Sequence, residues 1–173
     1  MNLKSNLIIP DADVIIELHE LNIWEDFISS YEVYIAQTVY EEAYHYTINN
    51  DTTHKLYPIN FDEAIDKRQI NIISLNASQI NIIEEKLRTY NHHIDDGEKE
   101  TLAIALNEIS NLTVCLKDKA AIKAAVFVGL KSRCVSVEKA ISQIGFTKKL
   151  SGTSSNERFH EIVKAAEIEK IQH

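Results

Sequence analysis

The chain has 173 residues, 45% of them hydrophobic, with two cysteines and a formal net charge of −8. That length fits one domain with a buried core, and no apolar run reaches the roughly 18–20 residues that a membrane-spanning helix needs. Charge is unevenly spread: residues 1–116 carry 7 Lys/Arg against 20 Asp/Glu, whereas residues 117–173 carry 11 against 6, so an acidic body precedes a basic C-terminal third.

In chain order, Leu7-Ile8-Ile9 is apolar without alternation and reads as a short strand buried on both faces. It is too short for the core of a signal peptide, so a cytoplasmic protein is expected. Residues 14–27 read as helix, in one piece or as two meeting near Leu21-Asn22, and residues 33–36 as a second strand. A helix is expected over 37–48, with Thr38 as N-cap and Glu41 as its capping-box partner, then a turn over 49–53. Residues 61–67 read as a short helix and 70–75 as a strand or extended connector. Asn76 or Ser78 caps a helix over 79–90, where Ile80, Ile83 and Leu87 recur at helical spacing. Asp95 or Asp96 caps the next helix, which continues through Leu102, Ala105, Leu106 and Ile109. A strand follows over 112–116, a helix over 119–128 ended by Gly129, a last strand over 133–136, and a helix over 137–144 ended by Gly145. Residues 151–156 have linker composition and divide a domain of residues 1–150 from a tail of 151–173. The tail's amphipathic helix, 157–171, carries Phe159, Ile162, Val163, Ala166 and Ile168 and is expected to cover the domain or a partner. Strands alternating with helices predict an α/β fold: a three-layer α/β/α sandwich around a short, mostly parallel sheet, plus the C-terminal helix. Cys115 and Cys134 are expected to be free, buried thiols of a reducing compartment.

Acids fall at the ends of these elements. Asp11 and Asp13 follow the first strand, and Glu41 and Glu42 lie on the helix after the second. Asp95, Asp96 and Glu98 open a helix, and Asp118 ends the strand at 112–116. In an open parallel sheet, the carboxyl ends of the strands and the starts of the following helices share one crevice. Carboxylates gathered there repel one another unless a hard divalent cation lies among them. Mg²⁺ or Mn²⁺ held in this way supplies charge neutralisation and an activated water for phosphodiester hydrolysis. Structural roles compete with this one. Asp11 and Asp118 can be helix N-caps, and Glu98 can complement a helix dipole. Asp13 can bind metal through water or cap its helix. Glu41 and Glu42 point about 100° apart, so one of them faces the crevice, and the spacing from Val39 favours Glu42. Lys117 and Lys119 flank Asp118 and suit a substrate phosphate, or pair with a crevice carboxylate. Lys123, Lys131, Arg133, Lys148 and Lys149 extend the basic region toward a polyanion, or are solvated. Tyr40, Tyr44 and Tyr46 are expected to pack rather than stack on bases, and His92-His93 to lie in a loop. Two Glu-x-x-His matches, at 42–45 and 157–160, are weak beside the strand runs, which argue against a di-iron bundle.

The order and wording of these segments resemble the PIN domain family of metal-dependent ribonucleases, over roughly residues 5–145. Ile8-Ile9-Pro10-Asp11-Ala12-Asp13 is similar to the family's first motif. Gln37-Thr38-Val39-Tyr40-Glu41-Glu42 is similar to the second, Asp96-Gly97-Glu98 through Ala105 to a Gly-Glu form of the third, and Thr113-Val114-Cys115-Leu116-Lys117-Asp118 to the fourth. The pattern differs where Asp13 replaces the family's common Asn, Ser or Thr, and where Lys117 precedes Asp118. The resemblance implies catalytic acids Asp11, Glu42, Glu98 and Asp118, with Asp11, Glu98, Asp118 and Asp13 around Mg²⁺ or Mn²⁺. It also implies RNA as the substrate class and a possible antitoxin protein as partner; a homodimer is a further possible partner. Two other functions remain open. One is a haloacid-dehalogenase-like phosphatase, with Asp11-x-Asp13 as nucleophile and acid/base pair. The other is a PIN-like fold kept as a non-catalytic binding module.

Overall fold

The computed structural model describes residues 7–43, 45–47, 56–107 and 111–173. In chain order its elements are β1 (Leu7–Pro10), α1 (Ala12–Glu20), α2 (Trp24–Ser30), β2 (Glu32–Ala36), α3 (Gln37–Ala43), β3 (His45–Thr47), β4 (Leu56–Pro58), α4 (Asp62–Asp66), β5 (Ile70–Ile73), α5 (Ala77–Arg88), α6 (Asp96–Asn107), β6 (Thr113–Cys115), α7 (Lys119–Phe127), β7 (Cys134–Val135), α8 (Val137–Gln143) and α9 (Asn156–Gln172).

The short apolar runs become a central sheet because they have no polar face to give to water. Ile8, Ile9, Val33, Ile35 and Val114 are all fully buried. The strands lie in the order β5-β2-β1-β6-β7, and every pairing is parallel. From β1 the chain steps to β2 and β5 on one side, and later to β6 and β7 on the other. Because parallel crossovers are almost always right-handed, steps in both directions place connecting helices on both faces of the sheet, consistent with a three-layer sandwich. The direction reverses between β1 and β6, which pair from Ile8↔Thr113 to Pro10↔Cys115. Beyond their carboxyl ends lies the switch point where parallel α/β sheets hold ligands.

Local chemistry sets the helix boundaries. The segment after β1 forms two helices, α1 and α2, separated at Asn22, whose φ is +56°. Asn76 caps α5 with a full capping box: its Oδ1 accepts the Gln79 N–H at 3.0 Å, and Gln79 Oε1 accepts the Asn76 N–H at 3.1 Å. That helix ends at Arg88, short of Tyr90. Gly129 and Gly145, at φ +94° and +95°, follow α7 and α8, as their expected stop positions require.

Other expectations differ from the structure. The helix expected over 37–48 stops at Ala43, and His45–Thr47 instead pairs antiparallel with Leu56–Pro58. Residue 48 and the expected turn at 49–53 lie outside the described residues, as do Tyr44 and Ile109. Thr38 is not an N-cap. It lies inside α3, its N–H donates to Glu100 Oε2 at 2.8 Å, and Glu41 accepts instead from the Gln37 amide at 2.7 Å. The linker-like stretch is tied down: Ser154 is buried and its hydroxyl donates to Glu17 Oε2 on α1 at 2.5 Å.

Helix α9 runs against α7 and buries Phe159, Ile162, Val163 and Ala166 in the same core as the sheet. At about 1.5–3 kcal/mol for each large apolar side chain, this is a substantial part of the stability of a small domain. Ile168, expected on the buried face, is 52% exposed, and Ile171 is 85% exposed. Cys115 is buried, Cys134 partly so, and both are free. Among the described residues, no helix is long and apolar enough to cross a membrane.

Candidate functional site

Asp11 stands one residue beyond β1 and caps α1: its Oδ1 accepts the Val14 N–H at 2.8 Å. Its Oδ2 accepts the Lys117 N–H at 3.3 Å, and its own N–H donates to the Cys115 carbonyl at 3.3 Å. The side chain is therefore clamped between the ends of β1 and β6. Asp118 caps α7, with Oδ1 accepting from Ala120 N at 2.6 Å and Ala121 N at 3.2 Å. Among the described residues its second oxygen has no hydrogen-bond partner. For both residues, capping and membership of the crevice are the same placement, because a side chain that caps a helix after a parallel strand already stands at the sheet's carboxyl edge.

Glu98 sits in the first turn of α6, largely buried. It forms a reciprocal pair with Asp95: Asp95 Oδ1 accepts the Glu98 N–H at 2.8 Å, and Glu98 Oε2 accepts the Asp95 N–H at 3.2 Å. Asp95 thus takes the cap position at the start of this helix, while Asp96 is exposed and bonds Lys99 at 2.9 Å. Glu42, not Glu41, faces the crevice. Its carboxylate lies over Gly97 and, with Asp11, Ala12, Asp13, Val39, Asp95 and Glu98, lines a cavity of about 120 Å³. Among the described residues this lining has five carboxylates and no Lys, Arg or His. At about 30 Å³ per water, the cavity has room for an ion with a few of its waters.

Burial first, and neighbouring charge second, show in the acids' proton affinity. Burial pushes the Asp11 carboxyl up to about 7, with the Asp13 and Asp118 charges adding to it and the Val14 and Lys117 N–H groups opposing it. Burial likewise raises Glu98 to about 8, reinforced by Asp95, Asp118 and Asp11. Glu42 is raised by burial and then by Asp95, Asp96 and Asp13. Asp11, Glu98 and Asp118 therefore feel one another, which links Asp118 to the cavity although it is not part of the lining. All donors are hard carboxylate oxygens, the set that suits Mg²⁺ or Mn²⁺. Among the described residues, no three Asp, Glu, His or Cys side chains already form a metal-binding group.

The basic residues are mostly engaged within the chain. Lys117 pairs with Glu17 at 3.3 Å, Lys131 with Glu167 at 2.5 Å, and Lys123 with Glu169. Arg133 Nε donates to the Leu112 carbonyl at 3.0 Å. Lys119 is exposed beside Asp118. Tyr40 packs on Phe61, with ring centroids 5.3 Å apart. His92 is in a loop and bonds the Ala120 carbonyl through Nε2 at 2.8 Å.

Two acids escape sequence reasoning. Glu100 is 2% exposed and accepts from Thr38 N at 2.8 Å and Leu75 N at 3.0 Å, fastening α6 to the starts of α3 and of the β5–α5 connection. Glu17 joins Lys117 to Ser154. Neither lies at a strand end, so position gives no signal. No family model matches the chain, and no curated protein matches it.

Proposed function

We propose that the chain is a Mg²⁺- or Mn²⁺-dependent endoribonuclease of the PIN type. The observation that carries this reading is the cavity beside the carboxyl end of β1, lined among the described residues by five carboxylates with no Lys, Arg or His. Asp11, Glu98 and Asp118 would hold the ion directly, and Asp13 would hold it through water. Such an ion supplies charge neutralisation at phosphorus and a more acidic water. Asp11, clamped by the Val14 and Lys117 N–H groups, fixes the ligand geometry. Asp118 presents its uncapped oxygen. Glu42, which lines the same cavity, would hold a water of the ion by hydrogen bond and accept its proton. Lys119 contacts a substrate phosphate as a point charge. Lys117 does so only on leaving Glu17, so its main part is to hold Asp11 through its backbone. An antitoxin partner rests on the family resemblance alone.

The test is cleavage of single-stranded RNA with Mn²⁺, against EDTA and against a generic phosphomonoester. Cleavage of RNA only, lost in Asp11→Asn, supports the reading. Turnover of the monoester alone indicates the phosphatase, with Asp11 as nucleophile. A third outcome is the non-catalytic binding module. Metal binding without turnover of either substrate would mark that module.

A further inference from the structure

Of the chain's four glycines, Gly129, Gly145 and Gly152 have positive φ, and Gly97 does not. Gly97 lies in the first turn of α6, where alanine is the better helix former. Backbone conformation therefore does not call for glycine there, but space does. A Cβ at position 97 would lie 2.7 Å from Glu42 Oε2 and 3.3 Å from its Cδ and Oε1.

The close approach belongs to a two-point contact between helices. Thr38 and Glu42 lie one turn apart on α3, and Gly97 and Glu100 one turn apart on α6, so each pair shares a helix face. Glu100 accepts the Thr38 N–H at 2.8 Å, and Gly97 receives the Glu42 carboxylate. The helices thus run antiparallel along this contact, fastened by a hydrogen bond at one point and open at the other by the width of a missing methyl. That opening lets Glu42 turn into the cavity it lines with Asp13 and Asp95.

We propose that Gly97 is a positioning residue: its missing side chain is the seat of the Glu42 carboxylate and brings that acid into the cleft. Its value to function rests on the ribonuclease reading. The group a methyl would meet is the free end of a flexible side chain, so Gly97→Ala moves Glu42 and leaves the helices in place.

The test is calorimetric titration of Mn²⁺ into the full-length wild type, Gly97→Ala, Glu42→Ala and the double variant. Gly97→Ala is expected to weaken Mn²⁺ binding about 10-fold or more, the range for groups that act on an ion through its ligands and waters. In the Glu42→Ala background it should change affinity by less than about twofold, because the two act through one group. Combining Gly97→Ala with Glu42→Asp, whose shorter arm clears the methyl, should recover part of the loss. Equal losses in both backgrounds, or none beside Glu42, would overturn the proposal. A metal-free crystal structure of Gly97→Ala tests it independently. A displaced Glu42 carboxylate over unmoved helices supports the seat, and an unmoved one refutes it. If the wild type bound no Mn²⁺, the ribonuclease reading would fail while this structure still decided the seat.

Discussion

Asp11 shows how one side chain serves fold and chemistry together. It caps α1, accepts a backbone N–H from the neighbouring strand connection, and carries a proton more tightly than a free carboxyl, as does Glu98. The resulting pH dependence has a definite sign. Both folded values, about 7 and about 8, lie above the unfolded range near 4. The folded state then binds more protons than the unfolded state, and stability falls as pH rises through that window. In metal-free buffer these two groups should lower the melting temperature between about pH 4 and 8. Asp11→Asn should flatten the fall, because asparagine still caps a helix but does not ionise. Saturating Mn²⁺ should flatten it in the wild type by stabilising the charged form. Melting curves across pH for the two proteins check this, and equal slopes without metal would count against an uncompensated cluster.

At the scale of elements, the α3–α6 contact is where the candidate site depends on structure. Removing the buried carboxyl with Glu100→Ala leaves the Thr38 and Leu75 N–H groups without their acceptor. Each such group costs about 1–3 kcal/mol, so chemical denaturation should show a loss of about 2–5 kcal/mol. Glu100→Gln keeps one acceptor and should lose less. The same contact marks the limit of sequence reading. Strand-end acids such as Asp11 and Asp118 were legible because apolar runs announce strands and the residue after a parallel strand faces the crevice. The spacing from Val39 favours Glu42 over Glu41, and Glu42 is the one lining the cavity. Glu100 was not legible, since its partners lie 62 and 25 residues away in sequence. The end of α3 was misplaced for a related reason. Val39 and Ala43 keep the helical period, but His45–Thr47 pairs with Leu56–Pro58, and no local pattern announces a non-local strand partner.

For the whole molecule, the basic C-terminal third is less available to a polyanion than its charge count suggests. Lys117, Lys123 and Lys131 pair with carboxylates of α1 and α9, so part of that charge fastens the C-terminal helix to the domain. Lys119 stands exposed beside Asp118. Lys119→Ala should therefore weaken RNA binding and lower the slope of log affinity against log salt by about 1. Lys131→Ala, whose charge is already matched by Glu167, should change that slope less. Fluorescence titrations over a range of salt distinguish the two, and equal slopes for both variants would argue against a specific phosphate contact at Lys119.

The claim on which the rest depends is that the acids around the carboxyl end of β1 form one divalent-metal centre. Anomalous diffraction from crystals soaked in Mn²⁺ tests it most directly. A peak within about 2.0–2.6 Å of carboxylate oxygens from Asp11 and at least one of Glu98 and Asp118 is the expected result, and it should vanish in Asp11→Asn. Full soaking with no peak in the cleft, or a peak only elsewhere on the surface, would contradict the claim.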